Sequence, residues 1–242
     1  MADAVTHQAT KVVAPPQGGA ASRTYTAAPQ LGAATRKYAV EVIGTFFLAF
    51  TVAVSVLSHS VFTPLAADAA LMVMVYAGGH TGGHFNPAVT LAALVRRRIG
   101  LADAVAYWIV QLVAGVVAGV AARAVVNPAT VTTLHPSGHA LAAAAVVELL
   151  FTFALCYVVL NVATSRDQPG NSFFGLAIGF TVAAGAFAVG GISGGAFNPA
   201  VALGAATAGL FAWSTLWVYI VVQAVAGIAA GLTFLALNPG DK

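Results

Sequence analysis

Hydrophobic residues run through the chain in long segments that short polar or glycine-rich stretches separate. Six of these segments are close to the length of about 20 residues that a helix needs to cross the hydrocarbon core of a bilayer. The sequence therefore predicts an all-α membrane protein with six transmembrane helices. The predicted spans are Tyr38–Leu57, Thr63–Gly79, Leu101–Ala122, Leu141–Val162, Phe173–Val189 and Thr215–Leu237.

Two further apolar segments, Asn86–Val95 and Asn198–Ala208, are too short to cross a bilayer. Each one opens with Asn-Pro, which favours a helix start because Asn suits the N-cap and Pro suits the first helical position. Each one also follows a glycine-rich stretch. The pattern predicts two re-entrant half-helices, which return to the side of the membrane from which they came.

The glycine-rich stretches and half-helix starts are copies of one motif. Gly82–Val89 reads Gly-Gly-His-Phe-Asn-Pro-Ala-Val, and 112 residues later Gly194–Val201 reads Gly-Gly-Ala-Phe-Asn-Pro-Ala-Val. The same offset pairs Tyr107 and Gln111 with Tyr219 and Gln223. The chain is therefore an internal repeat. Because each half holds three full spans and one half-helix, the halves are predicted to have opposite orientations in the membrane, as an inverted repeat.

Paired Asn-Pro-Ala boxes, one in each hydrophobic half, resemble the major intrinsic proteins, the family of aquaporins and glycerol facilitators. The boxes are Asn86-Pro87-Ala88 and Asn198-Pro199-Ala200, and the resemblance covers residues 38–237. It implies an aquaporin-like fold and a passive channel with one pore per subunit, which conducts water and small neutral solutes. It also implies homotetramers, no cofactor and no enzymatic activity.

Composition agrees with this class of protein, since 60 % of residues are hydrophobic and only 7 % are charged. These values exclude an ordinary soluble domain and make the lipid bilayer, rather than nucleic acid, the expected partner. Residues 1–37 are predicted to be a disordered cytoplasmic tail, although part of this tail could gate the channel mouth. The channel domain is predicted at 38–237, with repeat one at 38–124, repeat two at 141–237 and a C-terminal tail at 238–242.

Basic residues predict the orientation. Nine of the ten lysines and arginines fall in the N-terminal tail, after the first half-helix, near Arg166 or at Lys242, and only Arg123 falls on the other side. Because cytoplasmic loops of membrane proteins carry the excess of Lys and Arg, both termini are predicted to be cytoplasmic.

Asn86 and Asn198 are the residues most directly tied to conduction. Half-helices that enter from opposite faces bring both Asn residues to the middle of the bilayer, where each amide caps a helix and directs its NH₂ group into the lumen. Two helix N-termini then meet at one point with about half a positive charge each. This arrangement is expected to donate hydrogen bonds to water and to oppose cations, including protons.

The glycine-rich stretches 78–85 and 190–197 are expected to line the pore, because irregular backbone inside a membrane must face a cavity or protein. The expected lining residues are Gly82, Gly83, His84 and Gly194. His80 and His84 have the spacing of a zinc pair, but the glycines between them argue against the helix that such a site needs, so no metal is expected. In the resembled family, membrane glutamates brace these loops, and this role is assigned to Glu41 and Glu148.

The selectivity filter implied by the resemblance consists of Ala66, Ala186, Gly195 and Val201. Strict water channels of the family have bulky aromatic and His residues here and an Arg at the last position, whereas Val201 replaces that Arg. The Asp that follows the Arg in glycerol facilitators is replaced by Ala202. A wide, apolar filter is expected, unless His135 or His139, in the loop before the predicted span Leu141–Val162, fills it.

Two alternatives remain open. The channel could conduct mainly glycerol, urea, ammonia or hydrogen peroxide instead of water. A secondary transporter with inverted repeats is the alternative of another class, and it is disfavoured because Glu41 and Glu148 are the only deep acids among the predicted spans and no cation site accompanies them.

Overall fold

The computed structural model describes residues 31–126 and 131–241. Within these ranges the chain forms eight α-helices and one isolated β-bridge, between Leu134 and Phe211. The helices are α1 (Ala33–Leu57), α2 (Thr63–Gly78), α3 (Pro87–Val95), α4 (Leu101–Val125), α5 (Gly138–Thr164), α6 (Phe174–Ser193), α7 (Pro199–Thr207) and α8 (Trp213–Leu237).

The lengths of the helices match the predicted plan of six spans and two half-helices. Helices α1, α4, α5, α6 and α8 have 20 to 27 residues and are apolar enough to cross a membrane, with mean hydropathy of 1.8 to 2.3. Helix α2 is also apolar and has 16 residues. The nine residues of α3 and of α7 extend only about 14 Å, which is half of a bilayer core.

Two helix boundaries differ from the sequence-based prediction by four or more residues. Helix α1 begins at Ala33, five residues before Tyr38, so 33–37 are helical and not part of a tail. The rest of the predicted tail, residues 1–30 with its proposed gating role, lies outside the described residues. Helix α6 continues past Val189 to Ser193, because glycines at 190 and 191 are tolerated in a membrane helix. The second irregular stretch is therefore 194–197 and not 190–197.

Each half-helix packs against the last helix of the opposite half of the chain. Helix α3 contacts α8, and α7 contacts α4 in the equivalent way. Gly115 of α4 and Gly227 of α8 lie against the carbonyl groups of Ala200 and Ala88, where a Cβ atom would overlap the carbonyl oxygen. Small residues allow this close approach of helix backbones in a membrane protein. The packing fixes the starts of both half-helices next to each other.

The full-length helices repeat one arrangement in the two halves. Helix α1 packs on α2 and α4 in the first half, as α5 packs on α6 and α8 in the second, and α2 meets α6 across the halves. Large apolar side chains remain exposed on the outer faces, among them Phe47, Ile109, Phe180 and Trp217. Such a surface is suited to hydrocarbon and not to water.

Candidate functional site

A cavity lies between the full-length helices and the two half-helix starts. It is lined by apolar side chains of α1, α2, α5 and α6, and by Asn86 and Asn198. About 50 Å³ of it is open to a water-sized molecule. One water needs roughly 10–15 Å³ on this measure, so the cavity has room for a short file of waters. No Asp, Glu, Lys or Arg side chain of the described residues contributes to this lining.

Wider vestibules adjoin both ends of the central cavity. The first, which is named the inner vestibule, holds about 460 Å³ and is lined by His80, Gly82 and the segment after α5. It shares Gly83 and His84 with the central cavity. The outer vestibule holds about 350 Å³ and shares Ala186 and Val201 with the central cavity. These shared walls place the three spaces next to one another, with the central cavity between the two vestibules.

Asn86 and Asn198 lie where the two half-helices begin, and they are linked reciprocally. The Asn86 amide nitrogen donates to the carbonyl oxygen of Phe197 at 2.9 Å, and that of Asn198 donates to the carbonyl oxygen of Phe85 at 2.8 Å. The side-chain oxygens accept from the backbone N–H groups of Ala88 at 2.8 Å and of Ala200 at 2.9 Å, which caps each helix. Each NH₂ group retains one further hydrogen that it can donate to a molecule in the cavity.

The two phenylalanines that precede the Asn residues have unusual backbone conformations. Phe85 has φ of 49° and Phe197 has φ of 47°, in the left-handed region that non-glycine residues rarely adopt. Both side chains are buried, at 1 % exposed. Strain of this kind persists where the surroundings fix it, and here the Asn amides hold both carbonyl groups. The conformation directs each carbonyl across to the other half-helix.

Glu41 is fully buried and holds the first irregular loop. One carboxylate oxygen accepts from the backbone N–H groups of Gly83 at 2.7 Å and His84 at 2.8 Å. The other accepts from the N–H of Phe85 and from the side chain of Gln111, both at 2.8 Å. Four donors to one carboxylate satisfy the charge that burial would otherwise destabilise.

Glu148 holds the second loop in nearly the same way. One oxygen accepts from the Ser193 hydroxyl at 2.7 Å and the Ala196 N–H at 2.9 Å. The other accepts from the N–H of Phe197 and from the side chain of Gln223, both at 2.8 Å. The glutamates therefore fix the backbone immediately before each Asn-Pro-Ala box.

Sequence reasoning did not assign roles to several members of these networks. The missed residues are Thr90, Tyr107, Gln111, Ser193, Tyr219 and Gln223. A signal was present, since Tyr107 with Gln111 recurs as Tyr219 with Gln223 at the offset of the Asn-Pro-Ala boxes. Tyr219 donates to the carbonyl oxygen of Ser193 at 2.8 Å, whereas Tyr107 packs edge-on against the His84 ring.

The loop residues expected in the pore lie in different parts of the path. Gly83, His84 and Gly194 line the central cavity, whereas Gly82 lines only the inner vestibule. His84 stands at the junction of these two spaces, and its Nδ1 atom lies 3.0 Å from the hydroxyl of Thr90. Its ring is therefore held at the inner end of the central cavity.

Three of the four expected filter residues line the central cavity, namely Ala186, Gly195 and Val201. Ala66 does not. The side of α2 that faces the cavity carries Thr63, Ala67, Leu71 and Val75, which repeat every four residues. Ala66 is one residue away from this row, which turns it by about 100° around the helix axis. Ala66 is therefore not in the wall of this cavity, where Thr63 carries a hydroxyl group that donates to the carbonyl oxygen of Ser60 at 2.8 Å.

The outer loop does not refill the filter with a histidine. His135 is exposed, and its Nε2 atom lies 3.1 Å from the hydroxyl of Ser214. His139 is exposed in the first turn of α5. Leu134 lines the outer vestibule instead, because its backbone pairs with that of Leu210 and Ala212 at 2.7 and 3.0 Å. The loop thus adds an apolar wall to the outer vestibule.

Comparisons with known proteins agree with this geometry. The sequence model of the family described as Major intrinsic protein matches residues 30–234. The chain is 41 % identical over 217 residues to a glycerol uptake facilitator protein-like 6 from Lactiplantibacillus plantarum, across 85 % of this chain and 99 % of that protein. It is 34 % identical over 220 residues to a probable aquaporin NIP4-2 from Arabidopsis thaliana, across 85 % and 76 %.

Among solved structures, the fold is similar to the X-ray structure of the aquaglyceroporin from Plasmodium falciparum. The TM-score is 0.69 with 20 % sequence identity, over 83 % of this chain and 95 % of that one. The family is one of membrane channels and not of enzymes. The protein is therefore an integral, multi-pass membrane protein, and the chain belongs to the major intrinsic protein family of aquaporins and glycerol facilitators.

Proposed function

We propose that this channel conducts water together with small neutral solutes such as glycerol, urea or ammonia, and that its apolar filter sets this range. The observation that supports the proposal most strongly is Val201, which stands on the cavity wall where strict water channels of the resembled family have an Arg. A valine supplies neither a fixed positive charge nor a hydrogen-bond donor.

The remaining walls of the filter point in the same direction. Ala186 and Gly195 are small, and among the described residues that line the central cavity Thr63 alone has a side-chain hydroxyl group. Pore diameter and the polar groups that line it decide which molecules pass. A lumen between small apolar groups admits molecules wider than water and binds each of them weakly.

Ions and protons are excluded elsewhere, at Asn86 and Asn198. Each amide has one N–H free to donate to the oxygen of a permeating molecule, and each half-helix start adds about half a positive charge. A water that accepts from both amides cannot at the same time pass a proton along the file. Cations meet two positive helix ends in a central cavity to whose lining no acidic side chain of the described residues contributes.

The comparison with a glycerol uptake facilitator protein-like 6, which is 41 % identical, supports solutes larger than water. The filter nevertheless lacks the Asp of glycerol facilitators, since Ala202 follows Val201 and is fully buried. Glycerol passage therefore depends on width and apolar contact rather than on an acidic side chain.

Orientation and assembly follow from the same proposal. Arg96 and Arg98 lie after the first half-helix and Arg166 lies after α5, so all three mark the side of the inner vestibule. This side is assigned to the cytoplasm, together with both termini. The subunits are proposed to form homotetramers, with exposed apolar helix faces in contact and one pore in each subunit.

Stopped-flow light scattering on proteoliposomes tests the proposal. Water, glycerol, urea and ammonia are each driven by their own gradient, and empty liposomes give the background. A passive channel gives solute fluxes that are linear in the gradient and unchanged by ionophores that collapse ion gradients. Flux that requires a proton or sodium gradient would instead identify a coupled transporter.

A further inference from the structure

At the inner end of the channel, three arginines converge on one carboxylate that the conducting path does not use. Oδ1 of Asp241 lies 2.9 Å from Arg96, 3.0 Å from Arg98 and 3.5 Å from Arg166. Oδ2 of Asp241 accepts the backbone N–H of Arg166 at 2.8 Å. Asp241 belongs to the residues after α8 that the sequence assigned to a C-terminal tail.

Arg96 is the centre of this cluster and is only 1 % exposed. Its Nε donates to the hydroxyl of Thr164 at 3.1 Å, and one terminal nitrogen donates to the backbone oxygen of Asp241 at 2.8 Å. The other terminal nitrogen pairs with the Asp241 carboxylate, and the guanidinium stacks 4.0 Å above the ring of Phe234. A buried arginine needs this full set of partners, because the charge remains at every physiological pH.

The cluster joins three separate parts of the chain. Arg96 and Arg98 follow half-helix α3, Asp241 follows α8, and the segment from Thr164 to Arg166 leaves α5. That last segment continues directly into the wall of the inner vestibule, which Thr164, Ser165, Gln168 and Asn171 line. Both ends of α3 are thereby fixed, with Asn86 at the pore centre and Arg96 in the cluster.

We propose that Asp241 is a positioning residue for the inner vestibule, which holds the segment 164–171 against the end of half-helix α3. The proposal deepens the proposed function, because the vestibule is taken to be the cytoplasmic entrance of the channel. The Asp241 carboxylate acts through its ion pairs with the arginines and through the hydrogen bond that it accepts from the backbone N–H of Arg166. It does not contact the permeating molecule.

Hydrogen exchange on the full chain in lipid nanodiscs tests this role without any need for conduction. In Asp241→Ala and Asp241→Asn, the amides of 96–98 and 164–171 should exchange faster, by roughly tenfold at Arg166, whose N–H loses a charged acceptor. The helices should keep the exchange rates of the parent. Asp241→Glu should restore a large part of the protection.

Asp167→Asn is the matched control, because Asp167 is exposed on the same segment and the charge change is identical. Its exchange should equal that of the parent. The positioning role is wrong if 164–171 exchanges equally in Asp241→Ala and the parent. It is also wrong if exchange rises uniformly over all helices, since this would identify a general contribution to stability.

Permeability measured on the same preparations separates this proposal from the proposed function. Asp241→Ala should lower water permeability per folded channel by at least as large a factor as glycerol permeability, because resistances in series add and the filter limits glycerol more than it limits water. A larger proportional loss of glycerol permeability than of water permeability would contradict the series arrangement. A parent that conducts nothing would overturn the proposed function, whereas the exchange result would still decide the role of Asp241.

Discussion

The side-chain amide of Asn198 donates a hydrogen bond of 2.8 Å to the carbonyl oxygen of Phe85, the residue before Asn86. The reciprocal bond from Asn86 to Phe197 is 2.9 Å long. Each half of the repeat therefore fixes the half-helix start of the other half. The conducting centre belongs to neither half alone, which explains why two copies of one motif are needed for one pore.

Replacing both Asn86 and Asn198 by Asp is expected to weaken the exclusion of cations. Two acidic side chains would offset the positive helix ends and remove the N–H donors. Proton and potassium leak through proteoliposomes, followed with a pH-sensitive dye and a potassium electrode, should rise above that of the parent. Water permeability serves as the control for folding. Equal leak in a double variant that still conducts water would count against the barrier described for this site.

Replacing Glu148 by Ala is expected to destabilise the protein. The N–H groups of Ala196 and Phe197 and the amide of Gln223 would lose their acceptor, at about 1–3 kcal/mol for each stranded group. Glu148→Gln keeps one acceptor oxygen and should be milder. In thermal unfolding in detergent, the unfolding temperature should be highest for the parent, lower for Glu148→Gln and lowest for Glu148→Ala. Parent-like stability of both variants would mean that Glu148 does not brace the loop.

Replacing Gly115 by Ala is expected to displace half-helix α7. The added Cβ atom would overlap the carbonyl oxygen of Ala200, and overpacking of this kind costs about 1–3 kcal/mol. Gly190→Ala is the control, because no atom outside the adjacent residues and nearby backbone of its own helix lies within 4 Å of the position of its added Cβ. Unfolding temperature and water permeability should fall for the first variant only. Equal behaviour of the two variants would contradict the close helix contact.

Much of the fold could be predicted from the sequence, because lipid imposes strong rules on helix length and polarity. The Asn-Pro starts of α3 and α7, for example, follow from local chemistry and were correct. Helix ends were harder to predict, since α6 runs to Ser193 through two glycines that a membrane helix tolerates. Only the left-handed Gly194, with φ of 86°, ends it.

The site was predicted less completely than the fold. Counting residues back from Asn86 gave Ala66, but the rotation of α2 turns the row from Thr63 to Val75 towards the cavity. The rotation of α2 about its axis depends on how the helix packs against its neighbours. It cannot be predicted from the residue type at one sequence position. The partners of Asp241 also could not be predicted, because Arg96, Arg98 and Arg166 come from two parts of the chain that are distant from it in sequence.

The stability of the protein is expected to depend on pH through the carboxylate of Asp241. The N–H of Arg166 and the charge of Arg96 lower the pKa of Asp241 from its usual value near 4 to about 2. An acid with a lowered pKa stabilises the folded state above its unfolded pKa, and this contribution is lost as the pH falls through the folded pKa. The difference in unfolding temperature between the parent and Asp241→Asn should be constant from neutral pH to about pH 4. It should shrink as the pH falls further towards about 2. A difference that shrinks already between pH 7 and pH 5 would contradict this assignment.

The filter decides what the channel conducts, and Val201 is the residue that tests it. Arg in place of Val201 should narrow the lumen and add a hydrogen-bond donor, so that solutes wider than water are excluded more than water itself. The matched control is Val201→Leu, which adds bulk without charge.

The decisive measurement is the ratio of glycerol to water permeability, taken by stopped flow on one set of proteoliposomes for the parent and for Val201→Arg. The parent should pass glycerol well above the background of empty liposomes, and the ratio should fall in the Arg variant while water conduction persists. A parent that conducts water but excludes glycerol, urea and ammonia would contradict the wide apolar filter.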